Sequence, residues 1–125
     1  MAPGYEEVRR QVMAQIDAFN RRDLDAVEAM QHQEMTHQSR LADRYLGQQQ
    51  GCVDSRQAHR EILRWLWAME PPFRLVLDEV FTGPHGYAFL ARHEHDGPRV
   101  VVVREVDADG LIRDQRAYLA RPPQG

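Results

Sequence analysis

Apolar residues recur at steps of three and four in the first half of the chain and at steps of two in the second, so the pattern predicts helices followed by a sheet. Tyr5, Val8, Val12, Ile16 and Phe19 fall on one helical stripe over residues 5–20. Asn20-Arg21-Arg22 breaks that stripe. Asp23 is placed to cap a second, short helix through Leu24, Val27 and Met30, with Asp25 favourable in its first turn. Residues 34–39 predict a short strand with Met35, His37 and Ser39 on one face. Residues 40–54 then read as a polar loop long enough to act as a lid, holding Leu41, Tyr45 and the tract Gln48-Gln49-Gln50-Gly51. Asp54 or Ser55 caps a third helix, whose buried stripe is read as Ala58, Ile62, Trp65, Leu66 and Met69 and whose end is forced by Pro71-Pro72. That helix is expected to be the central packing element.

The remainder predicts four strands, at about 73–82, 86–96, 98–107 and 111–120, separated by Gly83-Pro84, Gly97-Pro98 and Asp109-Gly110. They are expected to form antiparallel hairpins. Val100-Val101-Val102-Val103 is apolar at both parities, so this strand needs cover on both faces, whereas one layer of helices supplies only one. A second copy of the chain is the simplest cover for the outer face, which predicts a homodimer. In the preceding strand Tyr87, Phe89, Ala91 and His93 share the more aromatic face, taken as the inner one.

Composition narrows the picture. The 125 residues suit one domain, 1–125, with one core. A net charge of -3 with both signs interspersed argues against nucleic acid and anionic membrane surfaces as partners. Cys52 is the single cysteine, which excludes an internal disulfide and a paired-cysteine metal site. The segment MAPGYEEVRR lacks an apolar signal core and no run is long enough to span a bilayer, so a cytoplasmic protein is expected.

Three segments carry a resemblance. Ala18-Phe19-Asn20-Arg21-Arg22-Asp23-Leu24-Asp25-Ala26-Val27 resembles the helix-turn-helix of SnoaL-like and ketosteroid-isomerase-like proteins of the nuclear transport factor 2-like superfamily. Ser55-Arg56-Gln57-Ala58-His59-Arg60-Glu61-Ile62 resembles their third-helix entrance. Asp109-Gly110-Leu111-Ile112 with Arg116-Ala117-Tyr118-Leu119 resembles their closing hairpin and last strand. The resemblance implies an α+β cone of the cystatin-like, SnoaL-like kind: a curved antiparallel sheet wrapped around three N-terminal helices and enclosing a pocket. It also implies a small hydrophobic molecule as partner, and no cofactor.

The chemistry of the best-known relatives does not carry across. The positions matching the ketosteroid isomerase tyrosine, aspartate base and protonated aspartate hold Gln15, Ser39 and Val102, and the last-strand aspartate of SnoaL-like cyclases and related epoxide hydrolases is matched by Ala117. Arg92-His93-Glu94 matches the Arg-x-Asp of such hydrolases only in part. The last-strand alignment puts Gln115, Ala117 and Leu119 inward. Histidine titrates near neutral pH and serves as acid or base, so His37 and His93 are the candidate proton-transfer pair. A scytalone-dehydratase-like aspartate would match Asp17, but the helical stripe points Asp17 away from the cone. Gln15, Ser39, Tyr45, His59, Trp65, Phe89 and Gln115 are the candidate ligand-binding residues; Trp65, Trp67, Phe73 and Phe89 also read as plain core. A register shift of one residue would exchange His93 for Arg92 and Glu94, which otherwise face outward as an ion pair or dimer contact. His93-Glu94-His95 with His37 could approach a metal, but no Cys or Asp completes the set, so no metal is expected.

Together these residues imply a cofactor-independent isomerase, cyclase or dehydratase acting on a hydrophobic oxygenated metabolite in bacterial specialised, polyketide-type metabolism. The alternatives are a non-catalytic ligand-binding or assembly module of the same fold and an epoxide hydrolase-like enzyme.

Overall fold

A computed structural model of the chain describes residues 4–39, 52–68, 74–94 and 99–120. Helix α1 (Tyr5–Asn20) and the short α2 (Leu24–Glu28) precede strands β1 (Gln31–Gln38) and β2 (Cys52–Val53). Helix α3 (Arg56–Trp67) then leads into β3 (Leu75–Thr82), β4 (Gly86–His93), β5 (Arg99–Val106) and β6 (Ile112–Ala120). The six strands form one sheet in the order β2-β1-β6-β5-β4-β3.

The predicted caps form. The Asp23 side chain accepts a hydrogen bond from the Ala26 amide, and Ser55 accepts one from the Ala58 amide, so each satisfies a backbone donor that its helix cannot. Asn20 does a different task. Its side-chain amide donates to the Leu75 carbonyl at 2.8 Å and its carbonyl accepts from the Leu75 amide at 2.9 Å, pinning the end of α1 to the first residue of β3. At the last hairpin Gly110 takes a φ of 81°, a conformation that a side chain would strain.

The largest apolar cluster joins Val8, Val12 and Ile16 of α1 to Val80, Tyr87, Phe89, Ala91 and Val102 of the sheet. This corrects the expectation that the third helix is the central packing element. Helix α3 packs instead over β1 and β2, with Ile62 against Val53, and buries His59, Ile62, Leu63 and Leu66. The spacing 59-62-63-66 is as helical as the predicted one; the stripe is rotated so that His59 and Leu63 enter and Trp65 is only half-buried.

Two further expectations change. Strand β1 begins at Gln31, ahead of the predicted 34, and β2 lies inside the stretch read as loop; His37 pairs with Val53 and Gln38 with Cys52. The sheet is also not wholly antiparallel. Strand β1 runs parallel to β6, with His37 opposite Gln115, and among the described residues the chain returns to its side only after β2, α3 and the three hairpins that join β3 to β6. The expected side-chain directions hold along β1, where Met35, His37 and Ser39 are all buried. Arg92 and Glu94 bind outward partners, Asp78 and Arg74, each at 3.0 Å, so β4 keeps the register that turns its aromatic residues inward.

Register between β4 and β5 depends on Gly86, which sits opposite Glu105; a Cβ there would lie 2.0 Å from the Arg104 carbonyl oxygen. Gly86→Ala should therefore destabilise the fold by about 1–3 kcal/mol, the usual cost of overpacking, seen as a lower urea midpoint at unchanged slope.

Candidate active site

Between the concave face of the sheet and the helices lies a cavity of about 130 Å³. An engineered apolar cavity of roughly 150 Å³ holds benzene, so the enclosed part suits a ring-sized body. Ile16 and Phe19 of α1, Ile62, Leu63 and Leu66 of α3, and Leu75, Phe89, Val100 and Val102 of the sheet give it apolar walls. Its polar residues are Gln15, Gln31, His37, Ser39, His59, Arg104 and Gln115. Among the described residues no carboxylate lines it.

The polar residues form a chain whose direction can be read from one end. Arginine only donates hydrogen bonds, and Arg104 Nε donates to Gln115 Oε1 at 2.7 Å. That turns the Gln115 amide nitrogen toward His37, where it donates to Nδ1 at 3.0 Å. A neutral imidazole accepting at Nδ1 carries its proton on Nε2, so His37 donates to Ser39 Oγ, 3.0 Å away. On the other side Arg104 Nη1 donates to the Tyr87 hydroxyl at 3.4 Å, and Gln15 Nε2 lies 3.2 Å from the same oxygen. The guanidinium also sits 4.9 Å from the centre of the Phe89 ring.

His59 stands beside this chain, its ring centre 4.5 Å from that of His37. Its Nδ1 lies 3.0 Å from Gln31 Nε2, and its Nε2 makes no hydrogen bond among the described residues. Two amide oxygens, Gln15 Oε1 and Gln31 Oε1, are buried without a partner among the described residues. Both residues line the cavity, so a ligand hydroxyl or amine would satisfy acceptors that the protein leaves open.

Burial keeps both imidazoles neutral. The pKa of His37 is lowered to about 4, first by burial and then by Arg104, with Asp114 opposing. His59 is held well below its ordinary value by burial, then by His37 and Arg104. Burial likewise lowers the Arg104 guanidinium, with Tyr87 acting the other way. Asp114 faces away from the cavity, bonded by Thr36 and paired with Arg116 at 3.4 Å.

Of the residues singled out from sequence, the structure brings Gln15, His37, Ser39, His59, Phe89 and Gln115 to the cavity. His93 does not line it, which corrects the expected pairing of His37 with His93. His93 keeps the inward parity of Tyr87, Phe89 and Ala91, but as the last residue of β4 it sits beyond the cavity and only half-buried. The imidazole that meets His37 is His59. Trp65 does not line the cavity either, because α3 turns Leu63 and Leu66 inward in its place. Leu119, expected to point inward, is 42 % exposed near the end of β6 and does not line the cavity. Tyr45, Phe73 and His95 lie outside the described residues. Val102 and Ala117, at positions where relatives carry acids, do line the cavity, and Asp17 is exposed and bonded to Arg21. Among the described residues no three His, Cys, Asp or Glu side chains gather as a metal site, and no helix is long and apolar enough to cross a membrane.

Arg104 and Gln31 are the cavity residues that sequence reading missed. The signal for Arg104 was present: it continues the parity of Val100 and Val102. Gln31 carried none, since nothing in a polar run marks one glutamine as buried.

A curved sheet closed by N-terminal helices around one cavity is the architecture of the nuclear transport factor 2-like fold, and solved structures of that class match the chain. In its SnoaL-like form the agreement extends over nearly the whole molecule. A SnoaL-like protein of unknown function from Burkholderia thailandensis superposes with a TM-score of 0.88 at 18 % identity, over 97 % of this chain and 100 % of that one. A candidate isomerase of the SnoaL-like family from Agrobacterium tumefaciens matches at 0.72 and 14 % identity, over 93 % and 99 %. A candidate ketosteroid isomerase from Kribbella flavida matches at 0.67 and 14 %, over 97 % and 85 %. No protein-family model matches the chain, and no curated protein is significantly similar to it in sequence.

The depressed histidine pKa has a consequence for stability. Between pH 6.5 and about 4 the unfolded chain binds a proton at His37 that the folded chain refuses, so acidification through this window destabilises the fold. The loss from His37 alone should reach about 3 kcal/mol, and His59 adds to it with the same sign. Urea midpoints measured from pH 7 to pH 4 should fall, and His37→Gln should flatten the fall.

Proposed function

We propose that this protein is a small-molecule enzyme that isomerises, cyclises or dehydrates a hydrophobic, oxygenated metabolite by cofactor-independent acid/base chemistry. The observation that carries the reading is the pair of neutral imidazoles, His37 and His59, set side by side in a largely apolar cavity. His37 is held in one tautomer by Gln115 and lies against the His59 ring. His59 offers Nε2 to the ligand. A half-turn of the Gln31 amide would move the His59 proton from Nε2 to Nδ1, so this ring can serve as acid in one state and base in the other. Candidate isomerases among the structural neighbours support the same class of reaction. Polyketide-type metabolites of bacteria are the proposed source of such substrates, in a cytoplasmic, single-domain protein.

Proton abstraction can be followed before the substrate is known. Small enolisable ketones and 1,3-dicarbonyl compounds incubated with the protein in D2O should exchange their acidic C–H, monitored by proton NMR. His59→Ala should slow that exchange by about 10²- to 10⁴-fold. Burial keeps His59 in its neutral, active form well below its ordinary titration range, so the rate should hold through neutrality and fall only on the acid side. Exchange unchanged in His59→Ala would overturn the assignment. The cavity's lack of a carboxylate favours a second reading, a non-catalytic ligand carrier, and saturable binding without any exchange would select it.

The proposed dimer uses the convex face of the sheet. Phe81, Val103 and Tyr118 are 54 %, 41 % and 53 % exposed there, and cross-strand register sets Phe81, Ala88 and Val103 in one row. Sedimentation should give a dimer that Val103→Arg converts to a monomer; a monomeric parent protein would sink this arrangement.

A further inference from the structure

Arg104 is the unexplained group in the cavity. It lies on the concave face of β5, continuing the side of Val100 and Val102, and it is the one formal charge among the described residues of the lining. No carboxylate pairs with it among the described residues, although most other arginines that lie near acids find one, as Arg60 does with Glu28 and Arg92 with Asp78. Its Nε and Nη1 are directed to Gln115 and Tyr87, and Nη2 makes no hydrogen bond among the described residues. The two histidines beside it are neutral, so they neither add to its charge nor offset it. A half-buried cation without a counter-ion is disfavoured, and aromatic faces and neutral amides compensate it only in part.

We infer that the missing counter-ion belongs to the ligand: the cavity takes a ring-sized apolar molecule bearing a carboxylate, which Arg104 grips through Nη2. The inference rests on the small-molecule reading and names the substrate class within it. A carboxylate at this point would form charge-assisted hydrogen bonds in surroundings that exclude water, while the ring lies against Phe89 and the apolar wall. The bonds to Gln115 and Tyr87 hold the guanidinium through Nε and Nη1 and leave Nη2 for a ligand. Arg104 is in this view a specificity-determining residue, separate from the imidazoles that move the proton.

The test compares benzoate with benzamide, equal in shape and different in charge, by calorimetric titration of the intact protein at pH 7. Benzoate should bind about tenfold or more tightly than benzamide. Arg104→Gln should remove the preference for benzoate over benzamide, and Arg104→Lys should retain part of it. Equal affinities, or a preference that survives in Arg104→Gln, would overturn the inference, and so would binding of neither probe at millimolar concentration. Should the Arg104 variants fail to fold, the arginine Nε–H signals of the 15N-labelled parent protein decide: benzoate must shift one of them and benzamide must not. The two proposals fail separately. Charge-blind binding together with C–H exchange removes the carboxylate and keeps the enzyme, whereas carboxylate-selective binding without exchange does the reverse.

Discussion

A guanidinium group can donate hydrogen bonds and never accept one, and the polar half of this cavity is ordered by that asymmetry. Because Arg104 must donate, Gln115 must turn its oxygen toward it; because Gln115 does so, its nitrogen faces His37; and His37 is left with one tautomer. Three side chains on three strands thereby hold a single arrangement without any ion pair. That order does not reach the second histidine. Gln31 has no donor-only neighbour, so nothing of that kind fixes its amide or the tautomer of His59. One histidine is locked and the other is adjustable, although both lie in the same apolar surroundings.

The cavity also separates charge from proton affinity. Three nitrogen-containing groups that are often cationic, Arg104, His37 and His59, crowd one side of it, and burial penalises each positive charge. Arginine has the highest intrinsic basicity, so it keeps its proton and the imidazoles give theirs up. An imidazole of such lowered proton affinity is a weak base, but it is also available in its unprotonated form at neutral pH. The apolar walls set both properties together.

Much of the fold was legible because its signals are local. Asp23 and Ser55 cap the helices as their positions implied, and β3 to β6 lie within a few residues of the predicted spans. Parity alone placed His37, Ser39 and Phe89 on the concave face, and the last-strand resemblance placed Gln115 there. Parity says nothing about height along a strand, which is why His93 was assigned to the right face and the wrong depth. Helical spacing fixes a period but not a unique phase, so Trp65 was read inward where His59 and Leu63 go. Arg104 was hidden by its charge, since a charged residue at the end of a valine run normally marks the solvent side. The two-residue β2 and the parallel pairing of β1 with β6 leave no trace in any short window, because both are determined by distant partners.

That parallel pairing also bears on how the molecule comes into being. The hairpins from β3 to β6 join near neighbours in the chain, whereas His37 and Gln115 are 78 residues apart and meet only when β1 docks beside β6. Long-range closure of this kind loses more chain entropy and is slow. The sheet's local half can form first, offering β6 as an open edge, and β1 then completes both the sheet and the proton-handling side of the cavity in one step. The contact that closes the sheet is also the one that sets His37 against Gln115, so a molecule in which β1 had not docked would present Arg104 without His37.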